Sequence, residues 1–243
     1  MPQVEKKITL LNNPKDMIRN IAVAGKLCYS SLSSIEEISN SITDEEVDKF
    51  IKMLIKMHHF SPIEHAYFTF GFEGFSRATL AQISRHRLTS PSVKSQRYVS
   101  HENFNYIIPP RIIELGFKDK FEEQMNTIAG WYKDWLTVLG DDEGGREDAR
   151  FVLPQATETI EIISLNAREL MHVIQERTCN RAQWEIREIV WDMWKLAYKE
   201  APSVFAQCGP SCLSTGKCFQ GKKNCGKADE VRARFEKEIL GKE

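Results

Sequence analysis

The chain has almost no net charge: 33 basic and 34 acidic side chains cancel over 243 residues. That balance gives no global attraction to nucleic acid or to an anionic membrane, so any anion site must be local. No stretch approaches the roughly 18 consecutive apolar residues that a membrane span requires. The opening MPQVEKKITLL lacks the apolar block of a secretory signal, and a cytoplasmic location without membrane partners is expected. Six cysteines are too few for a disulfide scaffold in a chain of this length. Neither an internal repeat nor a low-complexity linker divides the sequence. The 42% hydrophobic content is enough for one substantial core. The simplest partition is a single α+β domain over 1–225, including a cysteine-bearing segment at 208–225, followed by a charged tail at 226–243.

Periodicity places the main elements. Thr43 and Glu46 form a capping box, and Val47, Phe50, Ile51 and Leu54 then predict an amphipathic helix to Met57. From Ala66 to Phe72 the period falls to two, with Ala66, Phe68, Phe70 and Phe72 on one face, as in a half-buried strand that Gly74 breaks. Ala78, Leu80, Ala81 and Ile83 suit a helix from Ser76 to about Arg87, and Pro91 predicts a loop after it. A long helix carries Phe121, Met125, Ile128, Trp131 and Trp135. TETIEIIS reads as a strand, and Asn166 and Asn180 as the caps of two further helices. The charged end from Lys227 suits a surface helix.

Between Gly74 and His101 there is one sign of charge: Arg77, Arg85, His86, Arg87, Lys94 and Arg97, with no acidic residue beyond them. On a continued helix Gln82, Arg85 and His86 would share one wall. Thr89, Ser90, Ser92 and Ser95 add hydroxyls. Guanidinium groups offer paired planar hydrogen bonds at every working pH, so arginines beside serines make a phosphate receptor; a solvated basic face is the bland alternative.

The string RHRLTSPSVKSQRY resembles the signature of the flavin-dependent thymidylate synthase (ThyX) family: Arg85, His86 and Arg87, then seven residues, then Ser95. HFSPIEHAYFTFGFEGFSRATLAQISRHR, ARFVLP and NARELMHVIQERTCNRAQWEI resemble further blocks of the family in the same order. The resemblance implies an antiparallel sheet core with flanking helices, and a homotetramer with shared active sites. It implies reductive methylation of dUMP to dTMP, with FAD as cofactor and with methylenetetrahydrofolate and NADPH as co-substrates. It places FAD against Ser61, Arg85, His86, Arg87, Asn166, Arg168 and His172, with His59 nearby. Asn166 is equally explained as a helix cap. The resemblance places dUMP against Gln82, Arg85, Ser95, Gln96, Arg97, Arg150 and Arg177.

Arg177 and Ser95 are the catalytic candidates the resemblance implies, with Arg177 against the pyrimidine ring. C5 of uracil is a poor nucleophile until electron density is pushed onto the ring, and a fixed cation stabilises that density. In the family, hydride from reduced flavin takes part in place of an enzyme thiolate. A salt bridge from Arg177 to Glu176 or Glu185 is the structural alternative. Cys179 supports a rival thiolate mechanism only weakly, since a buried inert cysteine is the commoner fate.

Ser92 and Val93 depart from the Asn and acidic residue usual in the family, which removes a carboxylate expected near flavin and nucleotide. Cys208, Cys212, Cys218 and Cys225 are separated by three, five and six residues, not the tight Cys-x-x-Cys of most zinc sites, so thiols and no metal are expected. Two rival classes are a flavin-binding relative acting on another pyrimidine nucleotide and a non-catalytic nucleic-acid module. The latter is poorly supplied with stacking rings, having only Tyr98 near its arginines.

Overall fold

The computed structural model of the chain describes residues 2–12 and 14–242. The amino-terminal part holds β1 (Lys7–Leu10), α1 (Lys15–Leu27), α2 (Ile35–Asn40) and α3 (Asp44–Lys56). The middle holds β2 (Tyr67–Ser76), α4 (Arg77–Ile83), β3 (Thr89–Val93), α5 (Pro110–Glu114), α6 (Lys118–Leu139) and α7 (Glu143–Ala149). The remainder is β4 (Glu158–Asn166), α8 (Ala167–Arg177), α9 (Trp184–Glu200), α10 (Pro202–Phe205), α11 (Ser211–Ser214) and α12 (Ala228–Glu238). The four strands form one antiparallel sheet in the order β1-β2-β4-β3.

Contacts divide the chain into two compact units. The first comprises the segment up to Lys7, Gly71–Arg85 and Pro91–Ile162; the second comprises Ile8–Phe70, His86–Ser90 and the chain from Ile163 onward. In the first, Phe104, Tyr106, Ile108 and Met125 pack together, and Tyr132, Leu136 and Ala149 form a neighbouring cluster. In the second, α1 packs on α3, α8 on α9, and α10 on both α3 and α9. Phe68 meets Phe205 edge-on at 5.2 Å and Trp194 stacks on Phe235 at 5.2 Å. Each fully buried ring of this kind contributes roughly 1.5–3 kcal/mol. Val231 and Phe235 are buried, so α12 is seated by an apolar stripe, and Arg234 beside it lies over the Trp191 ring and pairs with Glu188.

The capping box at α3 forms as its residue types require: Thr43 N donates to Glu46 Oε2 at 2.9 Å, and those Thr43 hydrogen bonds hold the Glu46 carboxyl below its usual range. The period-two face of β2 is also as expected, with Ala66, Phe68, Phe70 and Phe72 all buried.

Four local expectations are corrected. β2 does not stop at Gly74 but runs to Ser76. Gly74 has φ +69, and a Cβ there would stand 1.9 Å from the Glu5 carbonyl oxygen, so the glycine admits a passing backbone instead of ending the strand. α4 ends at Ile83, which leaves Arg85, His86 and Arg87 in the following turn, so Arg85 and His86 do not share a helical wall with Gln82. Thr89–Val93 is a strand despite Pro91, because β3 lies at the sheet edge, where a missing N–H costs no ladder bond on the open side. The helix after Arg177 is capped by Gln183, whose side chain accepts from Glu185 N and Ile186 N, and not by Asn180.

β4 carries an inverted alternation at one point. Ile160 and Ile162 are exposed while Glu161 between them is 1% exposed, with neither carboxylate oxygen hydrogen-bonded. Burial pushes its pKa up to about 7.

Gly74→Ala is expected to lower stability by more than about 1 kcal/mol, whereas Gly130→Ala, in the middle of α6 with open space around it, raises it by about 0.5–1 kcal/mol. Urea denaturation midpoints measure both, and equal shifts would remove the strain argument. The sign for Glu161 follows from linkage. Its folded pKa lies above its unfolded value of 4.5, so the native state holds the extra proton. Stability therefore falls as pH rises from about 4.5 to 7 and stays lower above that, by up to about 3 kcal/mol. Glu161→Gln should flatten that fall between pH 5 and pH 8; parallel pH profiles would contradict it.

Candidate active site

β4 gives way to α8 at Asn166. Its side chain accepts from Glu169 N at 2.8 Å, so the cap is satisfied and the Asn166 oxygen is committed to backbone. Leu170, Val173 and Ile174 bury one face of α8. The helix also bears Glu169, His172 and, as its last residue, Arg177. Arg177 Nε donates to His86 Nε2 at 3.0 Å. His86 Nδ1 lies 3.5 Å from Glu169 Oε1, and the His86 and His172 rings meet edge-on at 5.8 Å. His86 is buried in the turn before β3, where Thr89 Oγ1 donates to its carbonyl at 2.7 Å.

This geometry settles the His86 tautomer. A nitrogen that accepts from a guanidinium must carry its lone pair, so the ring proton sits on Nδ1, facing Glu169. Burial raises the Glu169 pKa, with His172 opposing it. Ligand atoms of His86, Glu169 and His172 lie within 4.8 Å of one another. The Nε2 contact makes His86 a clamp on the Arg177 guanidinium.

Two cavities lie in the second unit, one of them bordered by His172. One, of about 430 Å³, is lined by Tyr29, His58, His59, Ser61 and Arg168, among others. The other, of about 350 Å³, is lined by His58, Phe60, Arg168, His172 and Gln175 among others. Arg168 borders both and pairs with Glu64. Tyr29 Oη and His59 Nδ1 are 2.8 Å apart. His58 adopts φ +58, the sparsely populated left-handed region, at the rim of both cavities. Arg87 is exposed in the turn before β3.

The first unit holds a cavity of about 430 Å³ lined by Arg77, Gln96, Arg150, Phe151, Leu153, Pro154 and Gln155. Burial first, then the neighbouring Arg150, push the Arg77 pKa down. Two guanidiniums and no carboxylate stand in this lining, a chemistry that suits an anion. Arg150 Nε donates to Glu147 O at 3.0 Å, which orients the group.

Other expected residues are placed differently. Arg97 is held by acids: Nη2 donates to Glu143 at 2.7 Å and Nε lies 2.6 Å from Glu147 Oε2. Ser95 Oγ accepts from Arg97 N and Tyr98 N, which leaves its own proton free to be donated. Gln82 Nε2 reaches Ala78 O at 3.4 Å, and Arg85 is exposed in the turn after α4. Val93 lines a further cavity of about 360 Å³ with Arg77, Leu80 and Pro91, while Ser92 is exposed.

Sequence reasoning passed over Arg77 and His58. Arg77 stood within the basic stretch, but nothing in the pattern separated it from its neighbours. His58 gives no signal, because a positive φ is not written in residue type.

Comparisons with known proteins agree on one family. The Thy1 family model, described as "Thymidylate synthase complementing protein", matches residues 9–203. The flavin-dependent thymidylate synthase of Geobacter sulfurreducens is 42% identical over 232 residues, covering 94% of this chain and 97% of the relative. That of Clostridium tetani is 41% identical over 239 residues, covering 93% and 95%. The crystal structure of Thymidylate Synthase X (ThyX) from Helicobacter pylori with FAD and dUMP matches with a TM-score of 0.65 at 21% identity, over 84% of this chain and 99% of that one. At that identity it speaks for the fold. With the family model and the two relatives spanning nearly the whole sequence, the chain belongs to the flavin-dependent thymidylate synthase family.

Proposed function

We propose that this protein reductively methylates dUMP to dTMP, using FAD, methylenetetrahydrofolate as carbon donor and NADPH as reductant. The observation that carries the reading is the Arg177 guanidinium fixed by His86 at the end of α8. The curated relatives are flavin-dependent thymidylate synthases by name, and the Helicobacter pylori neighbour is described with FAD and dUMP.

The second unit suits the cofactor. Two cavities share Arg168, with Ser61 on one and His172 on the other, and a guanidinium beside a hydroxyl and an imidazole fits a pyrophosphate. Arg87 adds charge, while His86 acts through Arg177 and Asn166 through its cap. When bound, FAD supplies the hydride chemistry, so no enzyme thiolate is needed. On the nucleotide side, Arg77 and Arg150 would take the dUMP phosphate, with Gln96 on the same wall. Gln82, Arg85, Ser95 and Arg97 complete the proposed substrate set, Ser95 by donating its free hydroxyl proton and Arg97 by exchanging an acidic partner.

Arg177 is permanently charged and already oriented, so it stabilises negative charge developing on the pyrimidine without reorganising, an effect worth roughly 3–4 kcal/mol. Cys179 lines a small cavity with other cysteines, a setting that favours the flavin route over a thiolate. The Ser92 and Val93 departures leave every charge-bearing group in place, and turnover should survive them. The active species is a cytoplasmic homotetramer with shared sites, which light scattering would read directly.

Chromatography of a mixture of the enzyme, FAD, NADPH, methylenetetrahydrofolate and dUMP should show dTMP; NADPH oxidation without dTMP would defeat the reading. Arg177→Ala is expected to lower kcat by roughly 100- to 1000-fold. His86→Ala should also lower kcat, with the KM for dUMP little changed, because it frees the guanidinium without removing a nucleotide contact. If KM rose and kcat held, His86 would belong to binding and not to positioning. Arg77→Ala and Arg150→Ala should each weaken dUMP by about tenfold or more, the magnitude of a charged hydrogen bond. An unchanged Kd by calorimetry would place the phosphate elsewhere.

A further inference from the structure

Four cysteines converge where the sequence suggested a different four. Cys179, Cys212, Cys218 and Cys225 line one cavity of about 100 Å³ in the second unit. Cys208 is not among them: it is buried, its Sγ donates to Val204 O at 3.8 Å, and burial pushes its thiol far above the usual range. Cys179 enters instead, from the turn between α8 and α9.

The segment around the other three has little to hold it. Between Ala206 and Lys227 the regular structure amounts to α11 and the single 3-10 turn Gly221–Lys223, and most side chains from Cys212 to Lys227 are exposed or half-exposed. A stretch this long and this poorly buried cannot offset its ordering entropy by apolar packing alone. What ties it down lies at the cysteines. Arg181 donates to Lys223 O at 2.7 Å and Asn224 O at 3.1 Å, and Asn180 Nδ2 lies 3.9 Å from Cys225 Sγ. The charge setting is one-sided as well: from Ala201 to Ala228 the chain has Lys217, Lys222, Lys223 and Lys227 and no acidic residue. That suits a centre whose ligands are thiolates.

We infer that Cys179, Cys212, Cys218 and Cys225 form a tetrathiolate site for a thiophilic metal centre, which staples the 206–227 segment to the turn that follows Arg177. Zinc and an iron–sulfur cluster share this ligand chemistry. Among the described residues no three of these sulfurs lie within 4.8 Å of one another. Four sulfurs each about 2.3 Å from one zinc would stand closer than that, so the wider spacing favours the cluster. The inference does not depend on the proposed reaction.

The test uses the full chain purified without oxygen, with iron, acid-labile sulfide and zinc measured per chain. About four irons with matching sulfide identify a cluster, and about one zinc identifies the mononuclear form of the same site. Either is expected to be lost in Cys212→Ser and Cys225→Ser and retained in Cys28→Ser, which changes an exposed cysteine outside the set. Because a ligand variant can fail to fold, native alkylation read by mass spectrometry tests the unaltered protein. Cys218 is exposed in the structure, yet should resist alkylation together with Cys179, Cys212 and Cys225 until the metal is stripped. Immediate labelling of Cys218 and Cys225, disulfides among the four, or a chain containing neither metal would overturn the site.

Discussion

An imidazole has one lone pair, and His86 uses it for Arg177. The rest of the candidate site follows from that commitment. With Nε2 accepting, Nδ1 must carry the proton, and the group facing Nδ1 must be an acceptor; Glu169 stands there. A proton on Nε2 would set donor against donor and release the guanidinium. The clamp therefore sets the hydrogen-bond pattern of the ring and the direction of the arginine together.

The clamp in turn depends on where α8 begins. Asn166 closes β4 and caps α8 in the same residue, so Glu169 and Arg177 are set by one helical register from one fixed start. The buried Leu170, Val173 and Ile174 lock the rotation of that helix. A slip by one residue would turn Glu169 away from His86 by about 100°. Precision at the site is thus inherited from an ordinary cap and an ordinary apolar stripe.

Those ordinary features were the legible ones. The Thr43 box, the alternation in Ala66–Phe72, the β4 run and the Asn166 cap each follow from local chemistry, and the structure has them. What could not be read was decided by contacts distant in sequence. Helical spacing carried the expected α4 through Arg87, yet His86 is needed in a buried turn against Arg177, 91 residues later, and tertiary packing overrides a weak local preference. Gly74 looked like a stop because its close approach to Glu5 is invisible in the pattern. The four cysteines of the small cavity could not be grouped by spacing, since Cys179 comes to the other three through the fold.

The arginines illustrate the same limit in electrostatic form. In sequence Arg77, Arg85, Arg87 and Arg97 are equivalent members of one basic stretch, within a chain whose charges cancel. In the structure they are not equivalent. Arg97 already sits between Glu143 and Glu147, as Arg168 does beside Glu64, and such pairs must open before either cation can serve a ligand. Arg77 and Arg150 instead line one cavity without a carboxylate in its lining, and burial first, then the neighbouring Arg150, lower the Arg77 pKa. Adding a dianionic phosphate there relieves repulsion and breaks no existing ion pair inside the cavity. Which arginines share a cavity without a carboxylate in its lining is a property of placement that no count of arginines contains.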